Sequence, residues 1–275
     1  MTFLEKVLNA KTDEELEELV SFEIAKLNEE NNEDKVLGFV LDDRLCKPYN
    51  GFIGKNSRIK FSNFSMITYA IKNDDYLYEF TKLFKKSGLK NKGQLVFFLN
   101  KYLDYYFGNI NSNDLREAYF YKKLESTETD DEYLDMINSF DLSDFKKKGI
   151  AMCTERSALA QNILSLFEFD SYYCMGYFNN GDKTDGHCYN IVRTVNGYRL
   201  VDFSVGVLQY SDSFEINVPF IADISTFDFE KFMSKDYEFT LENFEYEIIG
   251  DKGIRHTLGN RIYTNGKEPV VGKKL

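Results

Sequence analysis

The chain has 275 residues, enough for one large domain or two small ones, and its 43% hydrophobic and 29% charged residues are typical of a soluble globular protein. A net charge of -11 leaves no basic footprint for phosphates, which argues against a general nucleic-acid-binding protein. Most of this charge is local, because residues 1–35 carry 11 acids against 4 lysines. The 25 Phe and 19 Tyr predict a core built from aromatic rings.

No stretch predicts a secretion signal or a membrane span. The first residues carry charges at Glu5 and Lys6 where a signal peptide needs an apolar region, and no run approaches ~18 apolar residues. The four cysteines form no CxxC pair and are too sparse for a disulfide framework: Cys46, Cys153, Cys174 and Cys188. We therefore expect a reduced, cytoplasmic protein that binds neither nucleic acid nor membrane.

Residues 1–148 are the mostly helical portion of a predicted single domain. Thr12 with Glu15 forms a capping-box pattern, and the apolar residues that follow, as far as Leu27, keep a helical period. Further helices are predicted in four segments, of which the first two end at a glycine: 74–88, 93–108, 114–124 and 131–142. The region from 36 to 60 carries no firm prediction.

Residues 149–275 are predicted to hold the core of the fold and a β-rich tail. A helix starts at Cys153, and its apolar residues cover enough of its surface to predict a central position. The period then changes to two, which predicts strands at 171–178, 187–195 and 198–205, with Asn196-Gly197 as a turn signal. The tail mixes strand-like segments at 220–226, 244–250 and 260–266 with a short helix at 227–235. This layout is α+β, in one domain spanning 1–275.

Three residues in this second portion suggest nucleophilic catalysis: Cys153, His187 and Asp202. A thiol becomes a good nucleophile only as a thiolate, which a helix N-terminus and a neighbouring imidazolium both favour. Cys153 is predicted at a helix start, His187 can supply the imidazolium, and Asp202 can hold the other ring nitrogen. Each residue alone has an ordinary structural interpretation, so the hypothesis depends on the set.

The register of the last two strands tests this hypothesis. A tight two-residue turn at Asn196-Gly197 places Asp202 opposite Ile191, roughly 13 Å along the strand from His187, which is too far for a hydrogen bond. A four-residue loop at 194–197 instead places Asp202 opposite Tyr189, diagonal to His187 and about 7–8 Å from its backbone. The triad therefore requires the second register or an equivalent bulge.

The segments "GIAMC", "LAQNILSLF", "GYF", "GHCYNIV" and "NGYRLVD" resemble, in order and spacing, the core of the transglutaminase-like superfamily. The resemblance covers Gly149 to Ser204, about a fifth of the chain. It implies a papain-like fold with Cys153 as nucleophile, His187 as general base and acid, and Asp202 as the residue that orients His187. Tyr189 stands where the family usually has Trp, so only the backbone amide of Cys153 is a candidate oxyanion donor.

Other interpretations remain open. Arylamine N-acetyltransferases also order Cys, His and Asp in this way, but their cysteine comes early in the chain, whereas about 150 residues precede Cys153. A zinc site of Cys153, Cys174, His187 and Cys188 lacks the short paired spacings of structural zinc, and neighbouring strand residues point to opposite faces. His256 is the rival base. Cys174 and Cys188 are expected in the core, Glu155 as a first-turn acid, and Arg156 as a solvated or paired neighbour.

The sequence thus predicts a cysteine-dependent acyl-transfer enzyme that acts on amide bonds of a peptide or protein through a thioester, with hydrolysis slightly favoured. Protease, peptidase, deamidase and transglutaminase chemistry share these steps, and none requires a metal or organic cofactor. The alternatives are an inactive binding or scaffold module of the same fold and an acetyl-CoA-dependent N-acyltransferase. The helical portion is a possible contact surface for a protein partner.

Overall fold

The computed structural model describes residues 1–38, 48–60, 68–108, 113–126, 129, 140–179, 184–204, 207–210, 214–217, 220–223, 237–241, 245–248, 254–257 and 261–265. Its helices are α1 (Phe3–Asn9), α2 (Asp13–Glu30), α3 (Asp75–Lys86), α4 (Lys92–Phe107), α5 (Asn113–Glu125) and α6 (Cys153–Leu166). Its strands are β1 (Val36–Gly38), β2 (Tyr49–Asn50), β3 (Arg58–Lys60), β4 (Thr68–Ala70), β5 (Phe140–Asp141), β6 (Ser171–Asn179), β7 (Thr184–Thr194), β8 (Gly197–Asp202), β9 (Val207–Tyr210), β10 (Phe214–Asn217), β11 (Phe220–Asp223), β12 (Tyr237–Leu241), β13 (Glu245–Ile248), β14 (Ile254–Thr257) and β15 (Arg261–Asn265).

The fold is α+β, as predicted, and five of the predicted helices are present as α2 to α6. The sequence prediction missed α1, although Thr2 and Glu5 form a full capping box there, with Thr2 N–H donating to Glu5 Oε2 at 2.8 Å. The helix predicted at 131–142 is wrong at its end, because Phe140–Asp141 is a strand and Leu142–Phe145 a short 3₁₀ helix. Residues 130–139 and the predicted helix at 227–235 lie outside the described residues.

The main sheet carries the second portion of the chain. Its described strands run in the order β11-β8-β7-β6-β15-β12, and every neighbouring pair is antiparallel. The short strand β2 pairs with the beginning of β6, on the edge that β15 occupies further along. The strands predicted from the period of two are confirmed as β6, β7 and β8, and the strand-like segments of the tail contain β11, β13 and β15. A smaller mixed sheet, β1-β3-β4-β5, forms from segments that carry no firm prediction, except β5, which was predicted as the end of a helix.

Helix α6 is central, as predicted. It packs against β6 and β7 on one side and against α2, α3 and α4 on the other, and each of residues 154–164 is buried. Its buried polar side chains are held by hydrogen bonds: Asn162, for example, accepts from the backbone N–H of Ile53 at 2.6 Å and donates to its carbonyl at 3.1 Å. The helix is therefore fixed against both the sheet and the helical portion.

Aromatic rings fill the core next to α6, as the composition predicted. The ring of Phe167, which follows the helix, makes edge-to-face contacts with Phe3, Phe80 and Phe84 at centroid distances of 5.1, 5.6 and 5.8 Å. These contacts join α1 and α3 to the end of α6. None of the described helices combines the length and the apolar character needed to cross a membrane.

Candidate active site

Cys153 is the first residue of α6. The preceding residue, Met152, has an extended backbone, and its N–H donates to the Glu155 Oε2 atom at 2.7 Å, which fixes the point where the helix begins. The Cys153 side chain is only partly buried, whereas the next eleven residues are fully buried. The thiol therefore lies at the accessible N-terminal end of a buried helix, where free backbone amides favour negative charge.

The register of β7 and β8 is the one that the triad requires. The pairs run from Asn190 opposite Val201 to Thr194 opposite Gly197, so Val195-Asn196 is the turn instead of the predicted Asn196-Gly197. Continued by one residue, this register places Asp202 opposite Tyr189 and diagonal to His187. The strands thus bring the two side chains within reach of each other.

His187 and Asp202 form a short hydrogen bond. The His187 Nε2 atom donates to Asp202 Oδ2 at 2.6 Å, and Asp202 Oδ1 accepts from the backbone N–H and the hydroxyl of Ser204 at 2.9 and 2.6 Å. Burial acts to raise the pKa of Asp202, but the positive charge of His187 and these hydrogen bonds outweigh burial and hold that pKa below 3.8. Asp202 is therefore an ionised partner that fixes the orientation of the imidazole.

Cys153 and His187 stabilise each other's charged forms. Burial acts to lower the pKa of His187, but the negative charges of Asp202 and Cys153 raise it to about 10. A hydrogen bond from the Cys188 thiol is the largest influence on Cys153, and with the charge and hydrogen bond of His187 it outweighs burial and holds the pKa of Cys153 well below 9.0. Because Asp202 occupies Nε2, Nδ1 is the ring nitrogen that remains for Cys153.

Cys188 takes part in this site, which the sequence analysis did not predict. It is fully buried, as expected for a core residue, but its Sγ atom lies 3.5 Å from Thr154 Oγ1 and accepts from the Tyr173 hydroxyl at 3.4 Å. Burial raises the pKa of Cys188 well above 9.0, so it remains a thiol that donates to Cys153. Cys153 also accepts from the backbone N–H of Cys188. Alternation along the strand separates His187 from Cys188, but the start of α6 reaches both.

Two buried ion pairs flank the first turn of α6. Arg116 of α5 donates from Nη2 to Glu155 Oε1 at 2.7 Å, and Arg156 donates from Nη1 to Asp104 Oδ1 of α4 at 2.6 Å. The exposed fraction of both arginine side chains is 3%. Glu155 is a first-turn acid, as expected, and Arg156 is paired rather than solvated. Arg116 was not singled out, because a helical period gives no information on tertiary neighbours.

The remaining candidates lie apart from this site or outside the described residues. Cys174 is buried, as predicted, and burial raises its pKa well above 9.0. His256, the rival base, is a residue of β14, but its side chain is outside the described part of the chain. Cys46 lies outside the described residues altogether. Tyr189 stacks on the His187 ring at 6.4 Å. Within the described residues, no group of three or more His, Cys, Asp or Glu could hold a metal ion.

Comparisons with known proteins add no family assignment. No protein-family model matches the chain, and a search of curated proteins finds no significant match.

Proposed function

We propose that the protein is a cysteine-dependent acyl-transfer enzyme of transglutaminase-like, papain-like fold that acts on amide bonds of peptides or proteins. One observation carries the proposal: the Cys153 thiol at the start of α6 interacts with the His187 imidazole, which the Asp202 carboxylate holds by a hydrogen bond of 2.6 Å. Structural cysteines in apolar surroundings have raised pKa values instead, as Cys174 does. The site is therefore better suited to nucleophilic chemistry than to packing alone.

The steps follow from the protonation states. The Cys153 thiolate attacks the amide carbonyl carbon and forms a C–S bond, and the negative charge that develops on the carbonyl oxygen is placed near the N-terminus of α6. Cleavage of the C–N bond releases the amine, which takes its proton from the His187 imidazolium. The thioester then reacts with water or a second amine, from which His187 takes a proton as Cys153 leaves as thiolate.

Hydrolysis is the favoured outcome, because water is the default nucleophile at any open site. An amine that competes with water would give transglutaminase chemistry through the same thioester. The acyl acceptor is chosen by the surface around Cys153. A protein partner bound through the helical portion stays a prediction.

The test is the rate of iodoacetamide alkylation of each cysteine against pH, read by peptide mass spectrometry. The ordinary pKa of a cysteine thiol is about 8.5, and we expect Cys153 to react fast at pH values well below it. Cys46, Cys174 and Cys188 serve as internal controls. A Cys153 that reacts no faster than Cys174 contradicts the proposal and favours a binding module.

Three assays with the full chain then separate the reactions, each with Cys153→Ala as control. Ammonia release or cleavage of dimethylcasein reports hydrolysis, and incorporation of a fluorescent primary amine into the same protein reports amine transfer. Acetylation of Cys153 on mixing with acetyl-CoA instead favours the N-acyltransferase. Activity that persists in Cys153→Ala excludes Cys153 as the nucleophile.

A further inference from the structure

Arg116 ties the helical portion of the chain to the residues around Cys153. Its guanidinium is buried, and besides Glu155 it donates from Nη1 to the carbonyl of Ile150 at 2.9 Å and from Nη2 to the Tyr69 hydroxyl at 2.6 Å. Ile150 precedes Cys153 by three residues and Glu155 follows it by two. One side chain from α5 therefore holds the chain on both sides of the nucleophile.

The charge of Arg116 also matters to the thiolate. Glu155 is fully buried in the first turn of α6, and a buried negative charge so close to Cys153 disfavours a second one on sulfur. The guanidinium offsets that charge at 2.7 Å and attracts the Cys153 thiolate directly. Without Arg116, Glu155 keeps the Met152 N–H and the Tyr69 hydroxyl as hydrogen-bond donors.

We propose that Arg116 is a positioning residue for Cys153, which neutralises Glu155 and fixes the backbone that leads into α6. The inference rests on the proposed function, because it is the reactivity of the Cys153 thiolate that Arg116 serves. It also assigns a role to the helical portion, which completes the site from α5 instead of only covering the core. The titratable and charged groups that face Cys153 in the described residues are His187 and Cys188 from β7, Tyr173 from β6, Glu155 from α6, and Arg116 from α5.

The pair of Arg156 with Asp104 is a matched control. It lies in the same first turn, is buried to a similar degree and has a similar distance of 2.6 Å. Its second contact is the carbonyl of Gly108 at 3.1 Å, so it anchors α6 to α4 and not to the residues before Cys153. Loss of either arginine removes a guanidinium from a buried carboxylate, so both substitutions are expected to destabilise the fold.

The experiment measures the midpoint of the pH profile of Cys153 alkylation in the full chain and three variants. Arg116→Met is expected to raise the midpoint by about one pH unit, which slows alkylation about tenfold below the midpoint. Glu155→Gln keeps an oxygen that can accept from the Met152 N–H but removes the negative charge that Arg116 neutralises. The positive charge of Arg116 then acts on the Cys153 thiolate alone, so this variant is expected to lower the midpoint. Arg156→Met is expected to leave the midpoint unchanged.

Shifts of opposite sign cannot arise from destabilisation, which both Arg116→Met and Glu155→Gln cause. The inference is overturned if Arg116→Met and Arg156→Met give the same midpoint, or if Glu155→Gln raises it. Thermal unfolding checks that each variant is folded, and if Arg116→Met does not fold, the sign of the Glu155→Gln shift decides. An unreactive Cys153 in the wild type contradicts the proposed function, whereas a reactive one with no dependence on Arg116 contradicts this inference alone.

Discussion

The start of α6 and the middle of β6 each hold a cysteine, and the two thiols differ in the direction of their pKa shift. Cys174 on β6 is fully buried, and burial raises its pKa well above 9.0. Cys153 experiences burial too, but hydrogen bonds from Cys188 and the charge of His187 outweigh it. The difference shows that burial alone does not decide the ionisation of a thiol: the donors and charges that face the sulfur do.

The largest expected change in this comparison comes from His187→Ala. Loss of the imidazolium removes a charge and a donor from Cys153, so alkylation at pH 6 should slow by about 100-fold or more, equal to two pKa units. The rate at Cys174 should not change. His256→Ala is the matched control, and an equal effect of the two substitutions contradicts the assignment of His187.

Asp202→Asn is expected to have the next largest effect. The amide keeps the shape of the side chain but removes the negative charge that raises the pKa of His187, so fewer molecules hold the ion pair at pH 6. We expect Cys153 to alkylate at least about tenfold more slowly there. Asp170→Asn, which removes the exposed partner of Arg193 at the other end of β7, should leave the rate unchanged. NMR titration of the His187 ring gives an independent measurement, since its pKa should fall from about 10.

Cys188→Ala and Cys174→Ala compare the two buried cysteines of the sheet by their effect on Cys153. Removing this thiol deletes the hydrogen bond that most lowers the pKa of Cys153, so the alkylation midpoint should rise by about one unit. Cys174→Ala removes an equally buried thiol and should leave the midpoint unchanged. Equal midpoints in the two variants would show that the contact with Cys188 does not stabilise the thiolate.

The smallest expected effect is in the pH dependence of stability. His187, with its pKa raised from 6.5 to about 10, contributes stability that is complete below pH 6.5 and is lost as the pH rises through 10. Cys153, with its lowered pKa, contributes stability that is present above pH 9.0 and is lost as the pH falls. Between 6.5 and 9.0 the two slopes cancel, because the folded and unfolded chains hold the same number of protons on this pair.

Denaturant unfolding at a series of pH values measures this behaviour. The free energy of unfolding of the wild type, less that of a Cys153→Ala/His187→Ala variant, should be flat from pH 6.5 to 9.0. Outside that window it should fall by about 1.4 kcal/mol per pH unit on either side. A steady slope through the window would contradict the ion pair.

Local patterns predicted most of the elements that carry the site. The helix at Cys153 and the strands of His187 and Asp202 follow from hydrophobic periods, and the sequence defined which register a triad needs. The turn was misplaced by one residue, because the Thr194 hydroxyl accepts from the Asn196 N–H at 3.3 Å and donates to the Gly197 carbonyl at 2.8 Å. Gly197, with φ of 108°, therefore lies on the strand instead of in the centre of the turn.

Long-range neighbours were beyond these patterns. Arg116 reaches Glu155 across 39 positions, and nothing in the period of α5 indicates which residue its guanidinium meets. Strand alternation predicted that Cys188 and His187 point to opposite faces of the sheet. It could not predict that the start of α6 contacts both residues. Both contacts depend on how α6 is enclosed, which is a property of the assembled fold.

The enclosure of α6 has a consequence for the folding reaction. A helix that is buried on nearly all sides, with polar side chains that need partners from other elements, gains stability only when the sheet and the helical portion are both in place. The contacts that ionise Cys153 extend from residue 116 to residue 202, and the low-pH reactivity of this thiol should therefore be among the last native properties to appear. The extent of Cys153 alkylation in a short pulse of reagent, applied at successive refolding times, would therefore report the final step of folding.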